Sequence, residues 1–343
     1  VDTLNVARIA ALQAGIPDSV TAVTINRVCI SGMEAVISDV ILAGGVEHMS
    51  GVPYSVPAAR WGCRLQDNEF VDNIIRGLHC GSHVIPHPED GPVDAEMPPL
   101  SYFKGKPYIM GHTTEFIAQH LDISREEMDE VALRSHNNVE RATNDGSFED
   151  EIVPIEIPRR KGEPVIFNKD EHFRPGMTLE KLQSLPPAFV PKIGKVTAGN
   201  SSGINDGAAG LIIMSAEKAD ELNIQPLARI KAVARGGCHP AVMGLGPVPA
   251  SRRCLDKAGW NVADLDLIEA NEAFAAQAIA VNREMGWDID KVNVNGGAIA
   301  LGHPIGASGT RNLVTLIHEM LKRDAKKGLA TLCIGGGQGV AMT

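Results

Sequence analysis

"LDLIEANEAFAAQAIAVNREMGW", residues 265–287, decides the fold. Its opening reads as a short apolar strand and its remainder as a long helix, with Asn271 at the strand end beside Glu272. The same change of period recurs along the chain. "VTINRVC" (23–29) leads into "SGMEAV" (31–36): Val23, Ile25 and Val28 read as a strand end, and Ser31 to Ala35 as first helical turns. "SDVILAGGVEHMS" (38–50) is an apolar strand run, and "AAGLIIMSAEKADEL" (208–222) a strand followed by a helix start. "LARIKAVARGG" (227–237) reads as a strand, "SRRCLDKAGW" (251–260) as a helix, and residues 291–323 as strand and helix again. "GLATLCIGGGQGVAMT" (328–343) closes with a strand, a glycine turn and another strand. Buried strands alternating with helices predict an α/β architecture.

At 343 residues the chain suits two or three structural units. Its 44% hydrophobic and 22% charged content is that of a soluble globular protein. Only 4% aromatics and a net charge of −10 argue against nucleic acid or an anionic membrane, though not against a small polyanion met by a few local cations. No apolar run approaches the roughly 18 residues of a membrane span, and no signal-peptide pattern opens the chain. The six cysteines are scattered, which predicts reduced thiols and a cytoplasmic setting. Val1 rather than Met opens the sequence close to a helix, so the natural N-terminus is expected to lie upstream.

Between about 51 and 195 the texture turns rich in Pro, Gly, His and charge, a loop-rich insertion of the kind that carries function. One good helix is expected there, from Ser124 as N-cap with Glu127 closing a capping box. "LHCGSHVIPHPED" (78–90) offers His79, Cys80, His83 and His87, but without a second ligand cluster no metal is expected, and these side chains are read as packing within the insertion or facing solvent.

Four residues stand at strand ends or in glycine turns: Cys29, Asn271, His303 and Cys333, the last followed by Gly335, Gly336 and Gly337. Taken singly, a cysteine at a strand end is usually a small buried hydrophobe, and a histidine in a glycine turn a structural hydrogen-bonder. "GGGQG" lacks the Lys and Ser/Thr of a phosphate loop. Their co-occurrence at the C-terminal edge of strands, where α/β sheets place sites, favours chemistry. Glycines there let backbone N–H groups face an oxyanion.

"NRVCISGMEAV" (26–36), "GGVEHMS" (44–50), "VTAGNSSGINDGAA" (196–209), "MGLGPVPASR" (243–252), "EANEAFAAQ" (269–277), "NVNGGAIALGHPIGASG" (293–309) and "GLATLCIGGGQG" (328–339) together resemble the blocks of the thiolase family, in family order and over nearly the whole chain. The resemblance implies a thiolase fold: two similar βαβαβαββ halves in a five-layered αβαβα sandwich, plus a loop domain. The corresponding divisions are residues 1–71 with 205–226, a loop domain 72–204, and a C-terminal half 227–343. It implies acyl transfer between coenzyme A thioesters (acetyl-CoA and acyl-CoA giving 3-oxoacyl-CoA and CoA) through an acyl-cysteine, with no cofactor beyond those substrates and no metal. Cys29 would be the acylated nucleophile, His303 its activator and an oxyanion donor, and Cys333 the acid/base for the α-proton. Asn271 would hold a water, and the N–H groups of Cys29 and Gly335 would meet the thioester oxyanion. CoA contacts would come from Met110, Arg174, Phe189, Ala198, Ser202, Met243, Ala273 and Phe274. The family also implies a homodimer or homotetramer.

The chemistry agrees: a thiol is both nucleophile and leaving group, an adjacent imidazole and helix N-terminus would favour its thiolate, and a second base must remove a weakly acidic C–H proton. Two departures stand out. Ile109 occupies a position where short-chain members carry histidine, leaving room for another acyl group. After Ala35 the family's helix would run about three more turns, so residues are expected to be unrepresented there. A β-ketoacyl synthase or hydroxymethylglutaryl-CoA synthase relative would lack the Cys333 turn, and a non-catalytic CoA-thioester scaffold would have no need of all four residues.

Overall fold

The structure, a computed structural model, describes residues 5–37, 42–80, 82 and 107–343. Its centre is a four-stranded sheet in the order Val233–Gly237, Gln338–Met342, Gly328–Ile334, Leu267–Ala270. The first two pairings are antiparallel and the last, Leu267–Ala270 on Gly328–Ile334, is parallel. Alternate side chains of a strand face opposite ways, and here both directions are buried. Ala330, Leu332, Ile334, Val340 and Met342 pack against Ile30, which immediately precedes helix Ser31–Ile37, against Met33 within that helix, and against Leu313 and Leu316 of helix Ile305–Arg323. On the other side Ala341 packs with Ala250, Cys254 and Ala258 of helix Pro247–Ala258, and Leu329 with Val248 and Leu255.

Helix Ile305–Arg323 also packs on a second sheet, in which Leu42–His48 pairs antiparallel with Asp206–Ile212. The order is therefore helix, sheet, central helices, sheet, which accounts for four of the five expected layers from described residues. The outer face of the second sheet leaves Leu42, Val46 and Ile212 exposed. Among the described residues no helix is long and apolar enough to cross a membrane.

Close approach in the central layer depends on glycine. A Cβ on Gly32 would lie 2.9 Å from the Thr310 backbone nitrogen, one on Gly309 2.6 Å from Met33 N, and one on Gly45 2.2 Å from the Gly306 carbonyl oxygen. The neighbouring atoms are main chain and cannot swing aside. Gly45→Ala is therefore expected to cost about 2–3 kcal/mol, read as a lowered urea midpoint; an unchanged midpoint would show that this packing is dispensable.

Several expectations need correction. Residues 21–26 form no strand: without a partner strand among the described residues the run stays irregular, and Val23 is 62% exposed. Residues 291–295 supply only an isolated bridge, Ile268 to Val292, because Asn293 turns at φ 47°. The strand expected in 227–237 begins only at Val233. The insertion holds more than one helix: besides Arg125–Asn144 there are Asn73–Leu78, Met110–His120 and Leu179–Gln183. The expected capping box is present, with Glu127 N donating to Ser124 Oγ at 3.1 Å and Ser124 N to Glu127 Oε2 at 2.8 Å. Positions 38–41, where helix residues were expected to be missing, and His83 and His87 lie outside the described residues.

Candidate active site

Cys29 sits on a strained turn. Val28, the residue before it, has φ 52°, a left-handed conformation that is costly for a β-branched side chain. Polar bonds hold the turn: Val28 N donates to Asn26 Oδ1 at 3.1 Å, Arg27 N to Ser31 Oγ at 2.8 Å, and Ser31 Oγ to Val28 O at 2.7 Å. Arg27 pairs with Glu34 at 2.8 Å and donates to Gln338 Oε1 at 2.8 Å. These last contacts tie the turn to the sheet that carries Cys333. The Cys29 thiol is buried and accepts from the Gly335 N–H.

The parallel pairing of Ala270 with Thr331 puts Asn271 and Cys333 at one sheet edge, and Asn271 N donates to Thr331 O at 3.0 Å. Glu272 anchors the chain just beyond, accepting from Ser135 Oγ at 2.7 Å and Asn293 Nδ2 at 3.0 Å. With its neighbour so held, Asn271 leaves both side-chain amide atoms buried and without a hydrogen-bond partner among the described residues. His303 enters from the turn before helix Ile305–Arg323, its N–H donating to Asn205 Oδ1 at 3.0 Å. Nδ1 of His303 lies 2.6 Å from Ser308 Oγ, whereas Nε2 is buried and has no hydrogen-bond partner among the described residues. The glycine contacts above seat this helix on the one that follows Cys29. Glu47, in the second sheet, accepts from Gly306 N at 3.1 Å, placing a carboxylate at the helix's positive end.

Electrostatics correct one expectation. Burial pushes the Cys29 thiol up to about 12, helped by the neighbouring Cys80 and only partly offset by the Gly335 and Cys29 backbone N–H groups. Burial, then the charge of Arg311, pulls His303 down to about 4. Cys333 is raised well above the ordinary thiol value by burial, then by Cys29 and Cys238. At neutral pH the pair is thus a thiol and a neutral imidazole, with no standing thiolate. One seven-residue helix cannot offset full desolvation of a thiolate. Alkylation of Cys29 by iodoacetamide, followed by mass spectrometry of its peptide, is expected to be slow at pH 7 and still rising at pH 10. A plateau below pH 8 would mean a preformed thiolate.

Of the residues expected around coenzyme A, several converge. Met110, Met243, Ala273 and Phe274 share one buried cluster with Cys29 and Cys333, and Phe189 packs on it. Phe189 meets Phe274 edge to face at 6.2 Å. Ser202 donates to Ala273 O from Oγ at 2.9 Å and from N at 3.1 Å. Ala198 and Arg174 are exposed. The Arg174 guanidinium makes no ion pair among the described residues; its charge helps, after burial and His172, to hold His136 near 4.

Cys80 overturns its reading as part of the insertion's own packing or a solvent-facing side chain. It lines a pocket with Ile109, Met110, Met243 and Gly335, its Sγ where a Cβ on Gly335 would be 2.1 Å away. Nothing in sequence spacing marks this, because the path from residue 80 to 335 is tertiary. Among the described residues no group of His, Cys, Asp and Glu could hold a metal.

Two family models match the chain: thiolase, N-terminal domain over residues 1–86 and 100–217, and thiolase, C-terminal domain over 224–343. An acetyl-CoA acetyltransferase of Allochromatium vinosum is 53% identical over 98% of this chain and 82% of its own. One of Cupriavidus necator is 52% identical over 98% and 83%. The crystal structure of the Bacillus anthracis acetyl-CoA acetyltransferase superposes with a TM-score of 0.88 at 46% identity, covering 100% of this chain and 83% of that one. Human mitochondrial 3-ketoacyl-CoA thiolase in complex with CoA gives 0.85 at 42% identity over 98% and 80%.

Proposed function

Because the chain belongs to the thiolase family, we propose that Cys29, His303, Asn271 and Cys333 carry out acyl transfer between coenzyme A thioesters. One observation carries the residue assignment. Three buried polar atoms, His303 Nε2 and both amide atoms of Asn271, have no hydrogen-bond partner among the described residues. Buried groups left unbonded are costly, so these are groups kept for substrate or its water.

In the first half-reaction Cys29 Sγ attacks the thioester carbonyl carbon while His303 Nε2 takes the thiol proton. The Gly335 and Cys29 N–H groups donate to the resulting oxyanion. Collapse expels the CoA sulfur, which receives the proton from His303. In the second, Cys333 first passes its thiol proton to His303 Nε2 and as thiolate takes the α-proton of acetyl-CoA. The enolate carbon attacks the acyl-cysteine while the protonated Nε2 of His303 and an Asn271-held water donate to the enolate oxygen. Cys29 leaves and regains its proton from His303, so both cysteines end as thiols and the imidazole ends neutral. No step calls on a redox group. The exposed Arg174 guanidinium suits the nucleotide phosphates, and the apolar wall of Met110, Met243, Phe189 and Phe274 suits the pantetheine and acyl end.

Acetoacetyl-CoA is the proposed diagnostic substrate, since the relatives above are named acetyl-CoA acetyltransferases. Its absorbance is expected to fall on adding protein and free CoA, and to stay constant without CoA. A protein that bound CoA but left the absorbance unchanged would be a thioester-binding scaffold, and the proposal would fail. Longer 3-oxoacyl-CoA substrates in the same assay report whether apolar Ile109, at the start of helix Met110–His120, admits a larger acyl group.

A further inference from the structure

We propose that Ser308 is a positioning residue that keeps the imidazole proton of His303 on Nδ1, so that a bare Nε2 meets the Cys29 thiol. The inference rests on the reading of His303 as that thiol's base. Ser308 lies in the first turn of helix Ile305–Arg323 and is 1% exposed. Its Oγ is 2.6 Å from His303 Nδ1 and 3.0 Å from the Pro304 carbonyl oxygen. The hydroxyl has one proton and two lone pairs. A carbonyl can only accept, and a helical serine commonly donates to the carbonyl four residues back. With the proton given to Pro304, Oγ turns a lone pair to Nδ1, and Nδ1 must donate.

A neutral imidazole holds a single N–H, so placing it on Nδ1 leaves Nε2 as an acceptor. Nε2 is buried and has no hydrogen-bond partner among the described residues, which leaves its lone pair open to a reacting group. Were the hydroxyl turned to Nδ1, Nε2 would carry the proton and the thiol would face a donor. The orienting partner of a catalytic histidine is usually a carboxylate; here the partner is a hydroxyl, which fixes the tautomer without adding charge. Glu47, an acidic group at this turn, accepts from Gly306 N instead.

The test uses full-length protein labelled with 15N-histidine, with the His303 resonances assigned by their loss in His303→Asn. At pH 7 the wild type is expected to show a pyridine-like, unprotonated Nε2 and a protonated Nδ1. Ser308→Ala is expected to lose that pattern and to slow acylation of Cys29 by acetyl-CoA by ~10- to 100-fold, measured by mass spectrometry. Ser308→Thr keeps the hydroxyl and is expected to restore the pattern and most of the rate. A protonated Nε2 in the wild type, or an unchanged tautomer in Ser308→Ala, would overturn the inference. If Ser308→Ala fails to fold, the wild-type and Ser308→Thr spectra still decide. If His303→Asn acylates as fast as wild type, it is the reading of His303 as base that fails, while the spectra judge Ser308 separately.

Discussion

Cys29→Ser is expected to lower acetoacetyl-CoA thiolysis by at least ~10³-fold and to leave no acyl-enzyme detectable by intact-mass measurement. The substitution changes one atom. The turn held by Asn26, Ser31 and Arg27 does not involve the thiol, so the fold and the Gly335 N–H donor persist. What changes is the proton and the leaving group. A serine hydroxyl is a far weaker acid than a thiol, and the site already opposes ionisation, holding even the thiol near 12 by burial. His303, pulled down to about 4, is too weak a base to compensate. An oxygen ester, once formed, would also be a poorer acyl donor to the enolate than a thioester. The same variant should still bind CoA, since the Phe189–Phe274 and Ser202–Ala273 contacts do not involve the thiol. Turnover within tenfold of wild type would remove Cys29 from the nucleophile's role.

How much of this was legible in the sequence differs by residue. The strand at Gly328–Ile334 was readable because it is apolar but for Thr331, as expected of a strand buried on both faces. The run before Cys29 looked equally strand-like, yet the residues there form none. A strand is a relation between chains of atoms, and among the described residues no strand pairs with Val23. Asn271, Cys333 and His303 were legible as polar residues stranded at apolar boundaries. The charge state of the pair was not, because it depends on burial at residue 29, which composition does not report. Ser308 hid in plain view inside "HPIGASG": the contact spans five residues across the Pro304 turn and needs helical geometry to close. Gly32, Gly45 and Gly309 read as generic small residues, and only the packed helices show that a methyl there would strike main chain.

Cys333→Ala is expected to separate the two half-reactions. Cys333 shares a buried cluster with Cys29, whose thiol adds, after burial, to the resistance of Cys333 to ionisation. The Cys29 turn is braced by Arg27, Glu34 and Gln338 rather than by Cys333, so acylation by acetyl-CoA should continue near the wild-type rate. The acetyl-enzyme should then accumulate, because no group remains to take the α-proton of a second acetyl-CoA. A positioned acid/base contributes on the order of 10²- to 10⁴-fold, and both condensation and thiolysis should fall by that factor, since each crosses the same enolate. Exchange of the acetyl α-hydrogens into deuterated water reads that step alone and should vanish with them. The removed side chain is small, and its neighbour Met110 is a flexible thioether able to settle into the space, so gross unfolding is not expected. Loss of acylation together with condensation, in a protein that still unfolds cooperatively, would assign Cys333 to the first half-reaction and break the division of labour drawn here. Retained deuterium exchange would point instead to Cys80, the third thiol on Gly335, as the base.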